Sequence, residues 1–222
     1  MGREILDGSP YLSRLALHPL NTLISAMPAP SIKFLQSATS NAWIEQAIAN
    51  LDIVLLDHSH CERKAAGVAL NLMFRYPSRT RLVRQLTTIA QEELAHFDQV
   101  NQWLEHKGIP LAPLAAAPYG AGLRAEIRPQ EPDRLLDSLL VAALIEARSH
   151  ERLGLLGDHC PDRDLAKFYR SLMASEARHY GAYWVLATHY YDRQLVDDRL
   201  ASLAQVEKQL LANLYPQPRI HS

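Results

Sequence analysis

The feature that most constrains this chain is a doubled motif: Glu93 with His96, and again Glu176 with His179, each spelling Glu-x-x-His. Each copy follows an isolated glutamate at nearly the same interval, 31 residues after Glu62 and 30 after Glu146. With 12 Glu and 10 His in 222 residues, chance supplies only about half of one such motif. On a helix, Glu and His three apart share a face, so each motif can present a carboxylate oxygen and an imidazole nitrogen to one point. The matched intervals read as a weak internal repeat of a two-helix unit, a lone-Glu helix followed by a Glu-x-x-His helix. Two such hairpins joined by a long crossover make an all-α, ferritin-like four-helix bundle.

The faces of these helices bear on the chemistry. Glu93 and His96 continue the apolar stripe Leu82, Leu86, Ile89, Val100 and Trp103, and Glu176 and His179 continue Tyr169, Leu172, Tyr183 and Leu186. Glu62 interrupts Leu55, Ala66 and Ala69, and Glu146 interrupts Leu139, Ala143 and Leu153. All six therefore point inward. Four unpaired carboxylates would be costly in a core, whereas two divalent cations would neutralise them and use their lone pairs. The metal ligands expected are Glu62, Glu93, His96, Glu146, Glu176 and His179. Carboxylate and imidazole without thiolate suit iron or manganese better than structural zinc, and two iron ions are the expected cofactor. A zincin is excluded because His150-Glu151 meets Gly154 where the second histidine is required.

Punctuation sets the expected element boundaries. One long helix is expected from Asn41 to about Arg75, ended by Tyr76-Pro77-Ser78, with Ser78 capping a second helix that runs to about Lys107 before Gly108 and Pro110. Residues 108–131, rich in Pro, Ala and Gly, read as a crossover or lid and not as a packed element. A third helix starts with Pro132 at its first position and ends near Asp158. A fourth opens at Pro161, Asp162 and Asp164 and ends near Asp192, and a shorter fifth spans Asp198 to Asn213. The length, with 48% hydrophobic residues, suits a single domain over residues 1–222. No run is long enough to span a membrane, Met1–Leu20 lacks a signal pattern, and Cys61 and Cys160 are too few for a disulfide framework, so a cytoplasmic protein with reduced thiols is expected.

The residues around the ligands are more specific than the ligands themselves. Asp57-His58-Ser59-His60-Cys61-Glu62-Arg63-Lys64-Ala65-Ala66, Glu92-Glu93-Leu94-Ala95-His96-Phe97, Ile145-Glu146-Ala147-Arg148-Ser149-His150-Glu151-Arg152 and Ser175-Glu176-Ala177-Arg178-His179-Tyr180 together resemble the MiaE family, the tRNA 2-methylthio-isopentenyl-adenosine hydroxylases of the ferritin-like superfamily. The resemblance covers roughly Asn41 to Tyr191. It implies a non-haem di-iron monooxygenase in which the di-iron centre itself is the catalyst, dioxygen is co-substrate, tRNA is substrate and an external electron-transfer protein supplies the electrons. The alternative is another di-iron protein on the same ligands, such as a ferroxidase or a rubrerythrin-like peroxidase.

Weaker signals stand beside these. Arg75, Arg79, Arg81 and Arg84 cluster at the first turn and are candidate tRNA phosphate contacts, although a net charge of −1 makes any such surface local. His58 lies one turn before Glu62, and Asp57 or Asp52 is placed to orient a ligating imidazole. Gly120-Ala121-Gly122-Leu123-Arg124-Ala125 fits a dinucleotide fingerprint in letters only, since no strand precedes it. Tyr180, Tyr183, Tyr190 and Tyr191 read as core aromatics and not as a radical site.

Overall fold

The computed structural model describes residues 32–222, and the expectations that rest on Met1–Leu20 lie outside that range. The described residues form seven helices and no strand: α1 (Asn41–Ala49), α2 (Leu51–Arg75), α3 (Thr80–His106), α4 (Tyr119–Ala125), α5 (Asp133–His159), α6 (Arg163–Tyr190) and α7 (Arg193–Leu210). α2 packs along α3 and α5 along α6, so the two expected hairpins are present, and the four long helices form a ferritin-like bundle. No helix is long and apolar enough to cross a membrane among the described residues.

Helix ends follow local chemistry. α3 stops in a Schellman turn: Gly108 takes φ +67, its N–H donates to Glu105 O and that of Ile109 donates to Leu104 O, a geometry that favours glycine. Asp162 caps α6, accepting from the N–H groups of Asp164 and Leu165, each at 3.1 Å, and its other oxygen takes a bond of 2.8 Å from Lys107 Nζ at the end of α3.

Four boundary expectations are corrected. The single helix over Asn41–Arg75 is two, because Asn50 leaves helical geometry with φ −135 and ψ 41 and its Nδ2 donates back to Gln46 O at 2.8 Å. Asparagine competes for the backbone in this way. Ser78 caps nothing: the N-cap of α3 is Arg79, without a side-chain cap bond. The last helix begins at Arg193, not Asp198, because Asp192 caps it at 2.9 Å to Gln194 N–H. Within residues 108–131, α4 is a packed element whose Tyr119 and Leu123 are buried. There Gly122 lies where a Cβ would stand 2.5 Å from Leu210 Cδ2, so the glycine that looked like coil permits α4 to approach α7 closely.

A buried ion pair locks α7 to α5. Arg148 and Glu207 are both fully buried, with Nε donating to Oε1 at 2.7 Å and Nη2 to Oε2 at 2.9 Å. Arg148 also donates to Ser37 O at 3.0 Å and pairs with Glu151, which draws the segment before α1 onto the same point. Removing one partner would leave the other as a buried, unpaired charge. Arg148→Ala should therefore cost about 3–5 kcal/mol in urea unfolding, whereas replacing both Arg148 and Glu207 with apolar residues of similar volume should cost markedly less.

Candidate metal centre

The six predicted ligand residues converge in the middle of the bundle, all of them buried. They fall into two overlapping groups whose ligand atoms lie within 4.8 Å of one another: Glu62, Glu93, His96 and Glu176 in one, and Glu93, Glu146, Glu176 and His179 in the other. Glu93 and Glu176 belong to both. Each hairpin thus contributes a private pair, Glu62 of α2 with His96 of α3, and Glu146 of α5 with His179 of α6, while the glutamates of the two Glu-x-x-His motifs are shared.

The donor set fits cations. Glu93 Oε1, Glu176 Oε1, His96 Nδ1 and His179 Nδ1 are buried without a hydrogen-bond partner among the described residues, a costly condition for polar atoms unless a ligand completes them. Glu93 Oε1 and His179 Nδ1 stand only 2.7 Å apart and still lack hydrogen-bond alignment. Proximity without alignment is the geometry of lone pairs crowding a common point. Both imidazoles turn Nδ1 to the carboxylates and Nε2 outward, where His179 Nε2 meets Glu92 Oε2 at 2.6 Å and His96 Nε2 meets Ser175 Oγ at 3.2 Å. These outer partners fix ring orientation and tautomer.

Proton affinities report the crowding. Burial, then repulsion from Glu93, pushes Glu146 up to about 8. Burial and the charges of Glu146 and Glu93 push Glu176 well above the usual carboxylate range. Burial opposes charge on His96, yet Glu62 and Glu93 outweigh it and raise the imidazole to about 9. Glu62 is the exception: burial acts against ionisation there too, but His58, with Nε2 2.5 Å from Oε1, and then His96 hold it below the ordinary value.

Several neighbours escaped the sequence reading. Glu92 adjoins a ligand in sequence, but only the facing helix α6 puts His179 within its reach. Ser175 could be recognised only once α6 was set against His96. Asp57, considered as an imidazole partner, instead accepts the N–H of Ile220 at 2.8 Å, and Asp52 is exposed. Tyr183 is buried in the bundle core with its hydroxyl unpartnered among the described residues.

A cavity of about 790 Å³ leads to the cluster. Glu62, Glu93, Glu146, Glu176 and His58 face its inner end, Val68, Leu72, Val141, Ile145 and Leu153 are among its apolar walls, and Lys64, Arg75, Arg124, Arg128 and Arg134 are the cations that line it. Arg128 is neutralised by Asp137 at 2.8 Å and Asp133 at 3.0 Å. Lys64, Arg75, Arg124 and Arg134 form no ion pair among the described residues. Of the four arginines singled out at the first turn, Arg75 alone lines this cavity; Arg79 stacks over Tyr190 at 4.6 Å and Arg81 Nη1 lies 3.4 Å from His189 Nδ1.

A family model described as tRNA-(MS[2]IO[6]A)-hydroxylase (MiaE) matches residues 26–222. A tRNA 2-(methylsulfanyl)-N(6)-isopentenyladenosine(37) hydroxylase of Pseudomonas putida is 40% identical over 85% of this chain and 92% of its own length. The protein of the same name from Salmonella typhimurium is 31% identical over 87% of this chain and 89% of its own. Among solved structures, a Synechococcus protein with aldehyde deformylating oxygenase activity superposes with a TM-score of 0.84 at 49% identity, covering 86% of this chain and 96% of that one.

The sign of the pH dependence follows from the raised values. Between the ordinary 4.5 and about 8 for Glu146, and between 6.5 and about 9 for His96, the native chain holds protons that the unfolded chain has released. Stability of chelator-stripped protein should therefore fall as pH rises from 6 to 9. Thermal unfolding across that range checks this, and loading with a divalent metal, which takes the place of the protons, should flatten the profile.

Proposed function

The chain belongs to the MiaE family of tRNA hydroxylases, and from that membership and the cavity leading to the carboxylates we propose that it is a non-haem di-iron monooxygenase hydroxylating the isopentenyl side chain of 2-methylthio-isopentenyl-adenosine in tRNA. The observation that carries this reading is one cavity lined by four carboxylates, by apolar walls and by Lys64, Arg75, Arg124 and Arg134, which form no ion pair among the described residues. Glu62 and His96 would hold one iron and Glu146 and His179 the other, with Glu93 and Glu176 within reach of both. Since the six residues come from both hairpins, the described residues 32–222 act as one ferritin-like domain. Bound iron supplies the activation of dioxygen and the oxidation of the substrate carbon.

The chain's own residues bind and position. A nucleotide next to the anticodon lies in a loop, where taking a base out of its stack costs least. The apolar walls receive the alkyl group and keep water from the metal end. Lys64, Arg75, Arg124 and Arg134 pair with phosphates of the flanking nucleotides, with Arg79, Arg81 and Arg84 extending the positive surface beyond the cavity. Glu92 and Ser175 hold the two imidazoles in the tautomer that leaves Nδ1 free for metal. Insertion of one oxygen atom and reduction of the other to water consumes two electrons and two protons, and the electrons come from an external electron-transfer protein.

Two alternatives use the same cluster. A ferroxidase or rubrerythrin-like peroxidase has no need of a 790 Å³ cavity lined by cations. Aldehyde deformylation, named for the Synechococcus relative, calls for an apolar cavity but not for a lining of Lys and Arg, so a long-chain aldehyde belongs in the assay as a competing substrate.

Mass spectrometry of nucleosides from isopentenylated tRNA, incubated with iron-loaded protein, dioxygen and a reducing system, should show a gain of one oxygen that Glu93→Ala abolishes. No gain from a dioxygen-consuming di-iron protein would remove the substrate reading and leave the metal centre standing. For docking, Arg75→Ala with Arg124→Ala should weaken tRNA binding and reduce the slope of log affinity against log salt by about 2, measured by fluorescence anisotropy, with iron content unchanged.

A further inference from the structure

Two of the most specific stretches of sequence, around Asp57–Cys61 and around Arg148–Arg152, contain residues that touch no metal ligand position. Their role becomes visible in residues 219–222. Asp57 takes the Ile220 N–H at 2.8 Å. Arg152 donates to the carbonyl oxygens of Ile220 and of Ser222, the latter at 2.9 Å, while its guanidinium stacks on Trp43 at 4.5 Å. Trp43 Nε1 in turn donates to Arg219 O at 3.0 Å, and the Arg219 side chain donates to Ala115 O at 2.8 and 2.7 Å. Four consecutive buried residues are thereby tied down through the backbone of Arg219, Ile220 and Ser222 to α1, α2 and α5.

What this grip positions is a wall. Ile220, 1% exposed, and His221 both line the large cavity. The His221 ring lies parallel to Tyr119, 5.0 Å between centroids at 6°, with Nε2 3.2 Å from Ser149 Oγ and Nδ1 3.8 Å from Cys61 Sγ. Cys61 and Ser149 line the cavity together with Glu62 and Glu146, so residues 220 and 221 form a wall of the same cavity that the carboxylates face. Burial and the nearby Arg152 and Arg148 hold the imidazole in its neutral form, which leaves an uncharged surface facing the cavity.

We propose that Ile220 and His221 are specificity-determining residues: they form the inner wall that fixes which carbon of a branched, five-carbon alkyl substituent faces the metal pair. This rests on the hydroxylase reading above. The terminal carbon of an isopentenyl group carries two methyls that its double bond makes inequivalent. A wall anchored on three helices distinguishes them by shape, and one misplaced methyl-sized volume in an apolar pocket changes selectivity by about tenfold or more.

The test is product analysis on isopentenylated tRNA with wild-type protein, Ile220→Ala and Ile220→Phe, each matched for iron content, helix content and tRNA affinity. The wild type should oxidise predominantly one terminal methyl. Ile220→Ala should raise the share of the other isomer about tenfold and lower the product formed per electron pair consumed, and Ile220→Phe should slow turnover by at least about tenfold at unchanged tRNA affinity. If Ile220→Phe does not load iron, His221→Ala replaces it, with the expectation stated for Ile220→Ala. Active wild type with variants that reproduce its isomer ratio and coupling would overturn the wall assignment alone. Wild type that forms no hydroxylated nucleoside in this assay would overturn the hydroxylase reading and the assignment with it.

Discussion

Four carboxylates buried within reach of one another repel, and everything else in this bundle is arranged around that repulsion. Protons and two imidazoles relieve part of it, which is why Glu146 and Glu176 hold protons far above the usual range while Glu62, beside His58, does not. Cations would relieve it more fully, because lone pairs of Glu93, Glu176, His96 and His179 have no partner among the described residues. The contacts between α3 and α6 are few compared with those inside each hairpin. That seam is crossed by polar contacts, His179 to Glu92 and Glu93 and His96 to Ser175, and a cation held by residues of both hairpins would join them as well as serve chemistry.

The cluster has two sides with different surroundings. Toward α2 and α5 it faces the large cavity, into which the glutamates and His58 project. Toward the surface between α3 and α6 it presents the outer nitrogens of His96 and His179, backed by Ser175 and the part-exposed Glu92. Carboxylates, which can change their mode of binding, line the side that faces the cavity. Imidazoles, held in one tautomer, close the other. This separation lets the positioning of an alkyl group and the orientation of the ligands be set by different residues.

A second buried polar network supports the first. Arg148, Glu207, Glu151, Arg152 and Asp57 tie α7, the segment before α1 and residues 219–222 to the helices that carry Glu62 and Glu146. Fully satisfied networks of this kind rigidify a core, whereas partly satisfied ones destabilise it. Its position, within two turns of Glu62 on α2 and Glu146 on α5, means that the same helices answer to both networks.

The four long helices, the pairing of α2 with α3 and α5 with α6, and the six inward acidic and imidazole residues were legible in the sequence, because helical period and the three-residue spacing of Glu and His are local properties that survive without tertiary context. The sequence also marked the opening of α6 at Pro161, Asp162 and Asp164 and the stop of α3 at Gly108, although the capping role of Asp162 became visible only in the structure. The break at Asn50 and the start of α7 at Asp192 were written in the sequence but outweighed by longer apolar patterns on either side. Only the tertiary structure decided which glutamates are shared, that Glu92 and Ser175 back the histidines, that α4 packs through Gly122, and that Lys64, Arg124 and Arg134 join Arg75 along the cavity. Each of these depends on which helix faces which across distances of 75 residues or more in several cases, as with Glu92 and His179. A periodic pattern shows that a face is buried; what it is buried against is settled by packing between elements that the sequence places far apart.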